Sequence, residues 1–309
     1  MNHSIVFVHI GRTLPTYLHY AILQCRKFNQ CDIILVANSE AIAKSHIDPS
    51  LNVTLVTCES LRVSQKQQIF NKVAPLDRTF REGFWLYTTE RFYFLENLMK
   101  RYDLENVFHL ESDNLIYADL QCLLPVFHND YQGIAATFDD DNRCVPGFLY
   151  IKNYRSIEKL TQIINDIFQY TDIKCNDMQL LAMFKQKCGQ LYIDTLPIVT
   201  HDYPQPFQSL IHRIPNNAND YVNHIDEFNS VFDAAAIGQY LGGIDPENSG
   251  GKETVGFINE TCIFDPSFYR FQWIMDSANR RIPHMIHKGS RTPVNNLHIH
   301  SKDLGKFLS

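Results

Sequence analysis

The sequence predicts an α/β protein built on a largely parallel sheet covered by helices on both faces. Three observations carry that prediction. Short, nearly unbroken apolar runs recur through the first half of the chain, segments with apolar residues at helical spacing separate them, and the runs stop abruptly at Gly, Asn or acidic residues. A strand buried on both faces reads as a continuous apolar run because neither face meets water.

Ile5 to Ile10, bounded by Gly11, is the first strand. Tyr17 to Phe28 follows as a helix in which Leu18, Ile22 and Cys25 recur at helical spacing. Ile33 to Ala37 and Val53 to Val56 are the next strands. A long helix is predicted over Trp85 to Lys100, then a short strand, Val107 to Leu110, that runs into Glu111-Ser112-Asp113-Asn114. Ile134 to Thr137 and Phe148 to Ile151 are further strands, with helices after them at about Ser156 to Phe168 and Asp177 to Lys187. From about Pro197, Pro, Asn, Asp and Gly thicken and periodicity fades, which marks a loop-rich region. Its aromatic residues (Tyr203, Phe207, Tyr221, Phe228, Phe232 and Tyr240) argue for packing rather than disorder. The chain accordingly divides into an α/β portion, 1–195, and a loop-rich portion, 196–309.

Composition narrows the function. The 309 residues carry 28 Lys+Arg against 34 Asp+Glu, a net charge of -6, which argues against broad electrostatic binding of nucleic acid. No stretch approaches the ~18 apolar residues of a membrane span, and the first residues lack the basic leader of a secretory signal. The eight cysteines form no CxxC pair and read as reduced thiols, neither a disulfide framework nor a structural zinc site. These features lead to the expectation of a cytoplasmic protein. No GxGxxG or Walker A loop is present.

Two stretches carry chemistry. An apolar strand running into Glu111 and Asp113, with one residue between them, places two carboxylates on one face at the strand's carboxyl end, where ligands of open α/β sheets bind. Hard oxygen ligands there suit Mn²⁺ or Mg²⁺, which in turn suits a diphosphate; the bland alternative is a solvated acidic turn. Near the other end, Asn296-Leu297-His298-Ile299-His300-Ser301-Lys302 would put His298 and His300 on one face if extended, with Lys302 on the same side. An imidazole can complete a divalent coordination sphere and an ammonium can neutralise a leaving phosphate. In the loop-rich region, Asp233 reads as the cap of a short helix closed by Gly242-Gly243. Alternatively, Asp233 or Asp245 serves an acceptor hydroxyl. The aromatic group Phe264, Phe268, Tyr269, Phe271 and Trp273 reads as core rather than a sugar-stacking surface.

The order of these signals resembles the GT-A glycosyltransferases, and most closely the retaining type of glycogenin and the bacterial galactosyltransferases. Glu111-Ser112-Asp113 is similar to the family's DxD metal motif, with Glu111 in place of the first Asp. Thr88-Thr89-Glu90-Arg91-Phe92 looks like the helix whose Arg reaches the sugar-nucleotide pocket. Gly147 to Asn153 resembles the strand after the sugar site, and Asn176-Asp177-Met178-Gln179 the Asp-Gln element facing the transferred sugar. The resemblance covers about residues 4–195 and the last dozen; it leaves 200–290 unplaced. It implies a GT-A-like, Rossmann-like nucleotide-sugar-binding sheet in 1–195, with the acceptor side and a returning metal-binding tail in 196–309. The implied activity is transfer of a hexose from a nucleoside diphosphate sugar, a UDP-sugar, to a glycan or other hydroxyl acceptor.

Under that reading Glu111 and Asp113, with His298 or His300, hold Mn²⁺ or Mg²⁺. His9, Ile10, Gly11 and Asn38 border the base and ribose, Arg91 and Lys302 supply positive charge, and Asp177 lies nearest the anomeric carbon. His300 is slightly preferred over His298 as ligand, Arg91 is expected to hold Asp113 or the donor, and the tail from Asn296 is expected to be removable without unfolding. The rival readings are a nucleotidyltransferase or sugar-nucleotide hydrolase, and a non-catalytic carbohydrate-binding protein.

Overall fold

A computed structural model describes residues 1–203, 215–250, 254–259 and 261–309; Phe207, expected to be packed, lies outside the described residues. The chain alternates β1 (Ser4–His9), α1 (Leu18–Phe28), β2 (Asp32–Ala37), α2 (Ser39–Lys44), β3 (Val53–Thr57), α3 (Gln65–Val73), α4 (Phe84–Tyr102) and β4 (Val107–Leu110). It continues with β5 (Asn114–Ile116), α5 (Leu120–Asp130), β6 (Ile134–Asp140), β7 (Arg143–Ile151), α6 (Tyr154–Tyr170), α7 (Asp177–Cys188) and β8 (Ile193–Thr195). Then come three short helices, α8 (Ile225–Phe228), α9 (Ala236–Gly242) and α10 (Pro246–Ser249), and four strands, β9 (Arg270–Met275), β10 (Arg281–His287), β11 (Ser290–Pro293) and β12 (Asn296–His298).

The main sheet has seven strands in the order β3-β2-β1-β4-β7-β6-β8. β1 pairs in parallel with β2 and β4, and β2 with β3; the helices between them flank the sheet. The α/β class is therefore as predicted, with one correction: β7 runs antiparallel to both β4 and β6. That reversal explains why the apolar runs of β6 and β7 understate the strands. Asp140 pairs with Arg143 across a tight turn, so the ladder carries polar residues past the point where the runs stop. β1 and β4 are neighbours although β2 and β3 lie between them in sequence, and the strand order reverses there. Such a switch opens a crevice at the carboxyl ends of the strands.

The loop-rich reading of the second portion needs a second correction. β9, β10 and β11 form a three-stranded antiparallel sheet. Its alternation is concealed by Arg270, Gln272, Arg281 and His284 on strands that bury only part of their length. Phe264, Tyr269 and Tyr203 are buried against one another, whereas Phe268 is largely exposed.

β12 is the element that matters most for the site. It pairs antiparallel with β5, His298 opposite Asn114, and so joins the far end of the chain to the segment just after Asp113. Leu297, Ile299 and Leu304 are fully buried, and the Tyr117 hydroxyl donates to the Phe307 carbonyl. The tail is therefore part of the core, which runs against the expectation that it can be removed from a folded protein. Loss of three buried aliphatic side chains alone removes about 4–9 kcal/mol at ~1.5–3 kcal/mol each. A typical domain has only about 5–15 kcal/mol in total.

Candidate metal and diphosphate site

The site is built where β4 runs out. Strand geometry carries Val107 to Leu110 through the buried sheet, and the chain then turns so that Glu111 N–H donates to the Gly147 carbonyl and Asn114 N–H to that of Glu111. β12 lies across this turn. Asn296 ties it down on both sides: its Nδ2 donates to Asn114 Oδ1 and to the Asp233 carbonyl, both at 3.1 Å, while its Oδ1 accepts from Asp233 N–H at 3.0 Å. Ile299 N–H donates to the Asp113 carbonyl at 2.9 Å.

Locked in this way, the His298 ring enters between the two carboxylates. Its Nε2 lies 3.1 Å from Glu111 Oε2 and 3.1 Å from Asp113 Oδ1, although 185 residues separate His298 from Asp113. One ligand atom from each of Glu111, Asp113 and His298 lies within 4.8 Å of the others, and no other such group occurs among the described residues. Two glycines make room for the ring and its strand. A Cβ on Gly147 would fall 2.6 Å from His298 Nδ1, and one on Gly238 would fall 2.0 Å from the His298 carbonyl oxygen.

His300 is placed differently. Its Nδ1 is 2.8 Å from Gln239 Nε2, and its ring meets that of His298 edge-on at 4.3 Å between centroids. The chain leaves strand geometry after His298, so the even spacing does not keep both imidazoles on the carboxylates. The lean towards His300 as ligand is thus not the arrangement seen; His298 occupies that place. Lys302, at a left-handed φ of 65°, bends back so that its ammonium pairs with Asp113 and lies 5.6 Å over the Tyr17 ring.

Behind the carboxylates sits Arg91, buried in α4. One guanidinium nitrogen donates to Glu111 and the other to Asp177 at 2.7 Å. Glu111 and Asp177 are its direct partners, so the expectation that it holds Asp113 is corrected. Asp177 opens α7, where Asn176 and Gln179 form a reciprocal capping box at 3.1 Å each way. Gln179 is therefore committed to the cap, and of that four-residue element Asp177 and Met178 line the cavity.

Electrostatics follow from this packing. Burial alone would raise Glu111, but Arg91 and His298 outweigh it and hold the carboxyl below its ordinary range. Asp113 is likewise held well below its ordinary range, burial being overcome by Lys302 and His298. Burial would lower His298, yet Asp113 and Glu111 raise it to about 10; His300, buried beside His298 and Lys302, falls to about 3. Asp177 is the exception among the acids, because burial outweighs Arg91 and lifts it to about 6.

Two cavities meet at Glu111, Asp113 and Lys302. One, of about 440 Å³, lies towards the end of β1 and is lined by His9, Ile10, Gly11, Arg12 and Tyr17. Asn38 stands behind that wall, its Oδ1 accepting from Gly11 N–H at 2.9 Å. The other, of about 330 Å³, includes Asp177, Asp245, His298 and His300. Asp245 caps α10 by accepting from Glu247 N–H at 2.9 Å and reaches Arg81 at 3.2 Å. Asp233 lines neither cavity. Buried at 2% exposure, it accepts from Ile237, Gly238 and His298 N–H at 2.9, 2.8 and 3.0 Å, so its acceptor-side reading gives way to capping and bracing.

Sequence reasoning missed Asp139, Arg143 and Cys262, which line the second cavity. The FDDDNRC run after Thr137 holds a second set of carboxylates at a strand end, the same signal that identified Glu111 and Asp113. It also missed the aromatic turn Phe80, Phe84 and Trp85. No spacing rule marks that turn.

No family model and no curated relative matches the sequence. Among solved structures, the chain is similar to mouse xyloside xylosyltransferase 1 in its apo form, at 9% identity and a TM-score of 0.47, covering 64% of this chain and 86% of that one. The galactosyltransferase LgtC, solved with donor and acceptor sugar analogs, aligns at 15% identity and a TM-score of 0.44, over 63% of this chain and 73% of its own. The glycosyltransferase GlyE of Streptococcus pneumoniae TIGR4 aligns at 17% identity and a TM-score of 0.41, over 62% of this chain and 45% of its own.

Proposed function

We propose that this chain is a metal-dependent glycosyltransferase that moves a sugar from a nucleoside diphosphate donor to a hydroxyl acceptor. The observation that carries the reading is the convergence of Glu111, Asp113 and the distant His298 at the sheet's switch point, with the Lys302 ammonium on Asp113. Two carboxylates and an imidazole are a hard, oxygen-rich donor set that fits Mn²⁺ or Mg²⁺. Such an ion supplies positive charge that stabilises a departing diphosphate.

The chain's own residues do the rest. Lys302 sits between the two cavities and brings a fixed cation to where phosphate charge develops. Arg91 keeps Glu111 ionised and in place and orients Asp177 on the cavity wall, the side assigned to the transferred sugar. His9, Ile10 and Gly11 form the wall assigned to the nucleoside, with Asn38 holding Gly11 from behind. In this assignment residues 1–195 bind the donor, and 196–309 supply the acceptor side and the returning His298 and Lys302. The choice of UDP, Mn²⁺, a hexose, a glycan acceptor and a cytoplasmic setting belongs to the same proposal; no helix among the described residues is long and apolar enough to cross a membrane.

Thermal shift with UDP, GDP and CDP, each with and without Mn²⁺, tests it. One nucleotide should stabilise the protein only with the metal, by about 2.7 kcal/mol at a hundred times its dissociation constant. Stabilisation by none of them refutes the reading, and turnover of a nucleoside triphosphate with no sugar requirement would favour a nucleotidyltransferase.

A further inference from the structure

The second cavity has an aromatic wall that the chemistry above does not use. Phe80 and Trp85 are stacked at 6.3 Å and 6°, and Phe84 meets Trp85 edge-on at 4.9 Å and 75°. All three line the cavity that contains Glu111, Asp113 and Asp177. Phe80 and Phe84 are 42% and 38% exposed, a large apolar area to leave in water.

The backbone is bent to produce this exposure. Arg81, Glu82 and Gly83 are consecutive left-handed residues with φ of 45°, 57° and 94°. Two non-glycine residues in that region are costly, and such strain gathers at functional sites. The bend is also held by a segment distant in sequence. The Arg81 guanidinium lies 5.5 Å from the Phe80 ring centre and 5.9 Å from that of Phe84, and pairs with Asp245 at 3.2 Å and Glu247 at 2.5 Å. The rings are thus preset rather than loose.

The same cavity also carries polar groups, with Asp139 clamped by Arg143 and with Asn259 and Gln239 in its lining. The cavity is lined by five carboxylates (Glu111, Asp113, Asp139, Asp177 and Asp245) against four cations (Arg81, Arg143, His298 and Lys302), a net negative lining that disfavours an acidic ligand. Aromatic faces and hydrogen-bonding groups in one cavity match a ring with C–H bonds on its faces and hydroxyls around its edge.

We infer that Phe80, Phe84 and Trp85 form the acceptor platform, and that the acceptor presents a neutral pyranose ring to it. This rests on the glycosyltransferase reading. Trp85 reports on it directly, because the chain has two tryptophans and Trp273→Phe leaves Trp85 alone. The Trp273→Phe protein, loaded with UDP and Mn²⁺, is titrated with methyl β-galactopyranoside, methyl β-glucopyranoside, sorbitol and N-acetylneuraminic acid while Trp85 emission is followed. A saturable change with a neutral pyranoside and none with sorbitol is expected. Phe80→Ala, at the ring that lines this cavity and not the one towards β1, should weaken that dissociation constant about three- to tenfold and Phe80→Tyr should restore it. A UDP- and Mn²⁺-dependent thermal shift without any pyranoside response overturns the platform, as does an equal response to sorbitol or a preference for the acidic sugar. Absence of the thermal shift itself overturns the functional reading, and the platform with it.

Discussion

Gly147→Ala should cripple metal binding without replacing a ligand. The added Cβ would stand 2.6 Å from His298 Nδ1, 2.8 Å from its Cε1 and 2.9 Å from Asn114 Nδ2. Ordinary contact begins at 3.4 Å, so the ring has to retreat by about 0.8 Å. The strand leaves it little room. Asn296 and Asp233 pin the backbone of β12, and Ile299 N–H bonds the Asp113 carbonyl. Metal–ligand distances tolerate shifts of only about 0.2 Å, so this retreat takes Nε2 out of coordination range. Disturbing the groups that orient a ligand costs about ten- to a hundredfold in metal affinity, and displacing the ligand itself should reach the upper end. The crowding should also cost about 1–3 kcal/mol of stability. Isothermal titration with Mn²⁺ in the presence of UDP measures the first effect and urea denaturation the second. Wild-type Mn²⁺ affinity in a folded Gly147→Ala protein would refute the assignment of His298 as ligand.

Four further outcomes follow from the geometry. Arg91→Ala leaves Glu111 and Asp177 without their buried partner and should cost about 3–5 kcal/mol in chemical denaturation along with turnover, whereas an unchanged midpoint would place Arg91 outside the core. Asp177 is raised by burial from 3.8 to about 6, so its contribution to stability is complete below 3.8 and lost as pH rises through about 6. If its ionised form serves turnover, the pH–rate profile should carry an acid limb near pH 6 that disappears in Asp177→Asn and survives in Asp139→Asn, Asp139 being raised by burial to about 6 as well. Asp233→Ala strands three buried N–H donors and should destabilise the protein by several kcal/mol, at ~1–3 kcal/mol each, with Asp233→Asn recovering part of the loss. Deleting residues 296–309 should give an insoluble or unfolded chain by circular dichroism; a folded, inactive product would mean that the rest of the core holds without the tail.

β1, β2 and β4 were readable because burial on both faces leaves little room for polar residues, and an apolar run needs no knowledge of its neighbours; the edge strand β3, with Thr54 and Leu55 exposed, was readable from its β-branched composition alone. The same holds for Glu111 and Asp113, whose spacing and place at a strand end are local facts. β9 to β11 were not readable, since strands packed on one side among arginines and histidines carry no continuous run. Asn176 to Gln179 shows a limit of another kind: a short polar sequence can mark either a catalytic element or a helix cap, and in this fold the cap takes Gln179 while Asp177 meets Arg91.

By itself, then, the sequence determined the sheet-and-helix class, the acidic strand end and the presence of histidines and a lysine near the other terminus. Which histidine meets the carboxylates was decided by the pairing of β5 with β12, a contact between residues 182 apart at Asn114 and Asn296. Local propensity carries no information across such a distance. The register of two three-residue strands, the small size of Gly147 and Gly238 beside them, and the end of strand geometry at His298 together turn one imidazole onto the acids and the other onto Gln239. Side-chain direction at a strand end depends on what the next residues pack against, and only the folded core supplies that.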